Sequence, residues 1–82
     1  MLEIIREVLR EHGRLTTPVE RLGAGDDLFA AGLDSMAVVN VMLGLEERFG
    51  IEIPERLLTR RAFSSLAALE RLAGEAAAVA AA

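Results

Sequence analysis

The hydrophobic pattern at the start of the chain has the spacing of an amphipathic helix. Apolar residues recur three or four positions apart and form one stripe, which consists of Leu2, Ile5, Val8, Leu9 and, at its end, His12. This spacing predicts a helix over residues 2–12. Opposite charges three positions apart should support it, and these pairs are Glu3/Arg6, Glu7/Arg10 and Glu11/Arg14. Gly13 is expected to end the helix in the left-handed conformation.

A second helical pattern covers residues 34–49. Asp34 is placed to cap the first amides of this helix, and Gly50 to end it. The predicted core stripe consists of Met36, Val39, Leu43 (with Met42) and Phe49. Val38 and Val41 fall outside this stripe. They either form an exposed apolar contact surface or are partly buried under the preceding loop.

Residues 14–34 break the helical pattern and predict a long loop. Proline, glycine and aspartate give this segment the composition of turns, with brief helical turns expected at residues 17–20 or 27–30. Long loops in small domains are functional or are anchored by their own side chains. The expected anchors are Leu15, Val19, Leu22, Leu28 and Phe29.

The chain after the second helix predicts an extended link followed by a short helix. Residues 51–54 alternate like a strand but have no partner strand, so we expect a link in which the isoleucines are buried. Pro54 suits the start of a short helix over residues 55–59, with Leu57 and Leu58 facing inward.

The last predicted helix begins after a serine cap at Ser64 or Ser65. Its predicted core residues are Leu66, Leu69, Leu72 and Ala73. We expect residues 1–75 to form one domain and residues 76–82 to be an alanine-rich tail that frays.

Together these elements predict an all-α fold. It is a small antiparallel bundle of three longer helices plus one short helix, with a long loop between the first two. Its expected core consists of Ile5, Leu9, Phe29, Val39, Leu43, Phe49, Leu57 and Leu69.

Composition narrows the possible partners. The chain has 82 residues, a formal net charge of -4 and no lysine, so we expect no nucleic-acid partner. We expect no membrane partner either, since no apolar run approaches the length of a span and the start does not resemble a signal peptide. A cytoplasmic, monomeric protein is the resulting expectation.

The residue types argue against a catalytic or metal site. There is no cysteine, and His12 is the only histidine, so no thiol nucleophile or serine triad can be built. The side chains of the adjacent acids Asp26-Asp27 and Glu46-Glu47 diverge, and neither pair matches a calcium-binding loop. Ser35, after Asp34 at a helix start, would instead expose a hydroxyl beside free amides, a place suited to phosphate chemistry. Either residue could also be only a helix cap.

Two runs resemble the acyl carrier and peptidyl carrier proteins. The first is residues 26–36, which contain Gly32-Leu33-Asp34-Ser35, and the second is residues 45–54, which end the second helix and form the link. The resemblance implies that Ser35 receives a 4'-phosphopantetheine arm from coenzyme A through a phosphopantetheinyl transferase, and that Asp34 assists this modification. The thiol of the arm would hold cargo as a thioester, so the protein would be a carrier and not an enzyme.

The chain departs from fatty-acid carriers in its outward residues. The first half of the second helix lacks the acids of those carriers, Met36 replaces a leucine, and Arg60 and Arg61 add positive charge. The expected partner surface comprises Met36, Val38, Val41, Arg60 and Arg61.

The chain resembles another group of carriers more than it resembles the fatty-acid carriers. These are free-standing carriers that amino acid:[carrier protein] ligases load and that pass the cargo to a downstream acceptor enzyme. The segments that carry this resemblance are residues 15–19, 41–47 and 57–63. The alternatives are an acyl carrier for fatty-acid, polyketide or non-ribosomal peptide biosynthesis, and an unmodified helical docking domain.

Overall fold

The fold is an all-helical bundle, as the sequence predicts. A computed structural model describes residues 1–81 and contains three α-helices: α1 (Leu2–His12), α2 (Ser35–Phe49) and α3 (Leu66–Ala81). Three single 3₁₀ turns accompany them, at Val19–Arg21, Glu55–Leu57 and Arg61–Phe63. No β-strand occurs in this part of the chain. In place of the short helix expected at residues 55–59, the structure has the two 3₁₀ turns Glu55–Leu57 and Arg61–Phe63.

Helix α1 has the predicted bounds and packs against both other helices. Ile5, Val8 and Leu9 are buried on its inner face. The prediction for its end was wrong by one residue: Gly13 keeps a right-handed φ of -74°, and Arg14 takes the positive φ of 52°. The Gly13 N–H donates to the Leu9 carbonyl at 2.7 Å, which extends the helical bonding through residue 13.

Within residues 1–81, none of the three predicted charge pairs of α1 lies within ion-pair distance, and the one contact inside the helix joins His12 Nε2 to the Glu11 carboxylate at 3.7 Å. The Arg6 guanidinium donates to the backbone carbonyls of Val19 (2.8 Å) and Leu22 (3.0 Å). Two ion pairs tie α1 to its neighbours, Arg10 with Glu20 and Arg48 with Glu7, each at 2.7 Å. These contacts fasten the long loop and α2 to the first helix.

The loop between α1 and α2 is anchored by side chains and by backbone hydrogen bonds. Val19, Leu22 and Leu28 are buried as predicted, whereas Leu15 and Phe29 are half-buried. The Leu28 N–H donates to the Ser64 carbonyl at 2.8 Å. The Ala67 N–H donates to the carbonyl of Ala24 at 3.0 Å, so the loop is held against the start of α3.

Helix α2 packs on a different face from the predicted one. Its buried residues are Ala37, Val41, Gly44 and Leu45. A Cβ added at Gly44 would lie 2.8 Å from His12 Cδ2 and 2.9 Å from Val8 Cγ1, so only glycine admits α1 this closely. The inner face therefore combines two small residues, Ala37 and Gly44, with Val41 and Leu45. Three residues that were expected in the core are exposed instead: Met36 (76%), Val39 (52%) and Leu43 (52%).

The second half of the chain follows the prediction closely. Ile53 is buried, and its N–H donates to the Glu46 carboxylate at 2.8 Å, whereas Ile51 is half-buried. Leu57, the last residue of the first turn, is half-buried. Leu58 follows the end of that turn and is exposed, contrary to the prediction. Phe63 is buried.

Helix α3 begins at the predicted serine cap. The Ser65 hydroxyl accepts from the Ala68 N–H at 3.0 Å. All four predicted core residues of this helix, Leu66, Leu69, Leu72 and Ala73, are buried. The helix continues to Ala81 and buries Ala76, so its docked part passes residue 75. The boundary of the tail remains a prediction, and Ala82 lies outside the described residues.

Candidate functional site

Ser35 is the first residue of α2, and its side chain is exposed. Asp34 before it is extended, with φ -116° and ψ 177°, and its carboxylate accepts from the Ala37 N–H at 2.8 Å. The Val38 N–H donates to the Asp34 carbonyl at 2.9 Å. The amides of Ser35 and Met36 belong to the first turn and have no carbonyl partner inside the helix. The Ser35 hydroxyl therefore lies beside two backbone N–H groups that have no partner inside the helix.

The end of the long loop sets the position of this helix start. Gly32 has φ +113°, a conformation that side-chain-bearing residues rarely adopt, and it turns the chain toward α2. Leu33 is buried, and its N–H donates to the Leu28 carbonyl at 3.0 Å. The residue two before Ser35 is therefore fixed in the core. This anchoring leaves Asp34 and Ser35 as the first exposed residues.

A groove of about 570 Å³ opens beside Ser35, and we call it the serine groove. It lies between the first half of α2 and residues 58–63, and it is lined by Phe29, Leu33, Asp34, Ser35, Val38, Val39, Met42, Leu58, Thr59, Arg60 and Phe63. Most of these side chains are apolar, while the hydroxyl, carboxylate and guanidinium groups supply polar contacts. The groove offers a place for an arm with both apolar and polar parts.

Arg60 is held at this groove by an aromatic ring. Its guanidinium carbon lies 3.9 Å from the centroid of the Phe29 ring, within the range of a cation–π contact. The Phe29 N–H in turn donates to the Asp27 carboxylate at 2.9 Å. Arg61, which the sequence grouped with Arg60, does not line the serine groove.

The predicted partner surface needs one correction. Val41 is fully buried and Val38 is half-buried, so neither forms an exposed patch. Met36, which was predicted both on the core stripe and on the partner surface, is 76% exposed, and it is joined on α2 by Val39 and Leu43. We call these three residues the α2 apolar face. The signal that could have revealed it is Gly44, since a glycine inside a helix often marks a close approach of another element.

Residues 1–81 show neither a metal site nor a membrane-spanning helix. No group of three or more His, Asp or Glu side chains is arranged to hold a metal ion. No helix in this range is both long and apolar enough to cross a membrane.

The amino-acid sequence that contains Ser35 matches a known family. The family model described as "Phosphopantetheine attachment site" matches residues 1–73. The chain belongs to this family. Its members carry covalently attached 4'-phosphopantetheine, and the carrier fold expected from the sequence is confirmed by structural neighbours.

Proteins similar to this chain include an aminoacyl carrier protein and a carrier protein bound to a glycine ligase. The chain is 52% identical to the aminoacyl carrier protein of Agrobacterium fabrum over 66 residues, which are 80% of each chain. It also matches a chain in the crystal structure of an engineered Bradyrhizobium japonicum glycine:[carrier protein] ligase complexed with a carrier protein from Agrobacterium tumefaciens and AMP. That match has 47% identity and a TM-score of 0.87, and it covers 90% of this chain and 99% of that one.

A more distant neighbour comes from the Bradyrhizobium japonicum glycine:[carrier protein] ligase complexed with glycylated carrier protein. Here the identity is 32% and the TM-score 0.66, with 87% of this chain and 90% of that chain covered. Because these matches span nearly the whole of a chain of this size, the likeness concerns the carrier and not the ligase.

The residues of this site fit a phosphopantetheine group. The exposed Ser35 hydroxyl provides an attachment atom, and the outward amides of the first turn of α2 suit a phosphodiester. The serine groove provides apolar walls beside that atom. The chain itself has no cysteine, so its own side chains offer no thiol.

Proposed function

We propose that this chain is an aminoacyl carrier protein, with 4'-phosphopantetheine on Ser35 and an amino acid loaded by an amino acid:[carrier protein] ligase. The observation that carries the proposal is the exposed Ser35 hydroxyl at the start of α2, inside the matched residues 1–73. The aminoacyl part is supported by the 52% identity to an aminoacyl carrier protein and by the likeness to carriers bound to glycine ligases. When attached, the group supplies the thiol that holds the cargo as a thioester.

The chain's own residues present the hydroxyl and do not activate it. Asp34 caps α2 through the Ala37 N–H, and this bond holds the first turn in one conformation with Ser35 outward. The rest of the Asp34 carboxylate is exposed and can interact with the transferase or with a metal ion that this enzyme uses. No side chain of this carrier needs to act as a base, so the chain would be a substrate of both enzymes and not itself a catalyst.

The α2 apolar face is the surface that we assign to the ligase. Met36, Val39 and Leu43 are large, exposed and on the helix that begins with Ser35. Burying such side chains at an interface is favourable in proportion to the apolar area removed from water. Arg60, at the opposite side of the serine groove, would add a charged contact.

The attachment is tested by intact-mass analysis after incubation with coenzyme A and a promiscuous phosphopantetheinyl transferase. We expect one added phosphopantetheine on the folded protein and none on Ser35→Ala. If the folded protein gains no mass, the carrier proposal fails and the unmodified docking domain is the better description.

The cargo is tested by loading the modified protein with ATP, a glycine:[carrier protein] ligase and single amino acids. We expect a thioester-linked amino acid, seen as a hydroxylamine-sensitive mass increase. A protein that accepts only acyl groups would be an acyl carrier instead.

The docking surface is tested by charge insertion on the α2 apolar face. Val39→Glu should slow ligase loading at least about tenfold, because it places a charge in an apolar contact. Val79→Glu is the matched control, since Val79 is an exposed valine (41%) near the end of α3. Equal loading rates for the two variants would remove α2 from the interface.

A further inference from the structure

A second groove carries an unpaired positive charge. It is formed by the two 3₁₀ turns of residues 55–63 together with α3, and we call it the arginine groove. Its volume is about 480 Å³, and it is lined by Arg56, Leu57, Thr59, Arg61, Ala62, Ala68, Arg71, Leu72 and Glu75. Of these residues only Thr59 also lines the serine groove. The two grooves therefore meet at one residue and are otherwise separate.

In the part of the chain that the structure describes, no carboxylate lies within ion-pair distance of the three arginines of this groove. Arg56, Arg61 and Arg71 are exposed, and within residues 1–81 none of them forms an ion pair. Arg10 and Arg48, by contrast, are each bound to a carboxylate at 2.7 Å. The arginine groove thus concentrates free cations in a chain whose net charge is -4.

The floor of the groove is apolar. Ala68 and Leu72 are buried beneath it, and Leu57 and Ala62 are half-buried at its sides. Glu75 is the one acid among the lining residues. Leu57 and Ala62 retain apolar surface in contact with water, so a peptide segment with carboxylates and a small apolar side chain would satisfy both parts of the groove.

We propose that the arginine groove binds an acidic segment of a partner protein. Carboxylates of the segment pair with Arg56, Arg61 and Arg71, for which arginine offers bidentate geometry. An apolar side chain of the segment covers Leu57. Through Thr59 the bound segment lies next to the serine groove, so this contact adds a second attachment point beside the tethered cargo. Paired contacts of this kind raise the encounter rate and the effective concentration of the partner.

The probe for this site is a capped synthetic peptide with glutamates on one face of a helix and leucine and alanine on the other. It is titrated into the ¹⁵N-labelled, phosphopantetheinylated full chain, and amide shifts are recorded. We expect saturable shifts at the groove residues between 56 and 75, weaker binding as salt is raised, and no binding of the same peptide with lysine in place of glutamate.

Two double variants separate the groove from general charge. Arg56→Gln with Arg71→Gln should weaken peptide binding about fivefold, as expected for two partly exposed ion pairs. Arg14→Gln with Arg21→Gln removes the same charge from exposed arginines outside the groove, and should leave binding nearly unchanged. Both variants retain the core, and their spectra report whether they are folded.

The proposal is overturned if both double variants bind alike, if the shifts map to α2, or if no saturable shifts occur. It is also overturned if inorganic phosphate or citrate produces the same shifts at similar concentration, since the site would then be a small-anion site. The titration is repeated with Ser35→Ala, because the groove does not depend on the modification. Binding by that variant would support the groove even if the carrier proposal failed.

Discussion

The replacement of Gly32 by alanine is a sharp test of how the loop holds the site. Gly32 has φ +113° and lies three residues before Ser35. A Cβ placed there would lie 2.8 Å from the backbone nitrogen of Thr16 and 3.1 Å from its Oγ1. Since a backbone atom blocks the space, no side-chain rotation can relieve the contact.

The magnitude follows from two costs. Holding a side-chain-bearing residue in a sparsely populated backbone region costs about 1–3 kcal/mol. Moving Thr16 also disturbs three hydrogen bonds to the Ala31 carbonyl, donated by Thr16 N–H (2.8 Å), Thr16 Oγ1 (3.0 Å) and Thr17 N–H (3.3 Å). The loss of one such bond costs about 1 kcal/mol. We therefore expect Gly32→Ala to lower the free energy of unfolding by about 2–4 kcal/mol, a large part of the roughly 4–12 kcal/mol typical of this chain length.

The assay is urea unfolding followed by circular dichroism, with thermal melting as a second measure. The expected fall in Tm is roughly 10–30 °C for a domain of this size. Gly50→Ala is the matched control, because Gly50 has φ 64° and ψ 38° but no heavy atom within 4 Å of an added Cβ. That variant should lose only about 1–2 kcal/mol. If the two variants lose equal stability, the contact of Gly32 with Thr16 is not important.

Substitutions at three other positions test separate parts of the structure. Asp34→Ala should cost about 1 kcal/mol in urea unfolding and Asp34→Asn much less, because asparagine also caps helices; equal stability of both variants with the parent would argue against the cap. Gly74→Ala should stabilise α3 by about 0.5–1 kcal/mol, since nothing lies within 4 Å of its added Cβ, and a lower Tm would contradict this. The pKa of Glu20 lies below its usual 4.5, owing first to its backbone hydrogen bond and then to Arg10. Its contribution to stability is thus present above pH 4.5 and lost as the pH falls through the lowered pKa. NMR titration of Arg10→Ala should show this pKa moved up only in part, and an unchanged pKa would exclude the ion pair as a cause.

The elements that local chemistry specifies were predicted well. The bounds of α1, the caps of α2 at Asp34 and Gly50, and the serine cap of α3 match the structure. Each of these features depends on residues within four positions of one another. The same reason explains why Ser35 could be singled out, since its exposure follows from its place in the first turn of a capped helix.

The buried face of α2 could not be predicted from neighbouring residues in the sequence. The helix is apolar on nearly all sides, so periodicity alone allowed more than one inner face. The prediction assigned Met36, Val39 and Leu43 to the core, whereas the structure buries Ala37, Val41, Gly44 and Leu45. That choice depends on how closely α1 approaches, which is a property of two helices together.

By itself the sequence determined the helical class, the order of the elements, the caps of α2, the serine cap of α3 and the position of Ser35, because these follow from spacing and from hydrogen bonds between near neighbours. Only the tertiary structure decided which apolar residues of α2 face outward, that Arg60 stacks on Phe29, and that Arg56, Arg61 and Arg71 line one groove. These features join segments distant in sequence, and close packing of the whole bundle selects them.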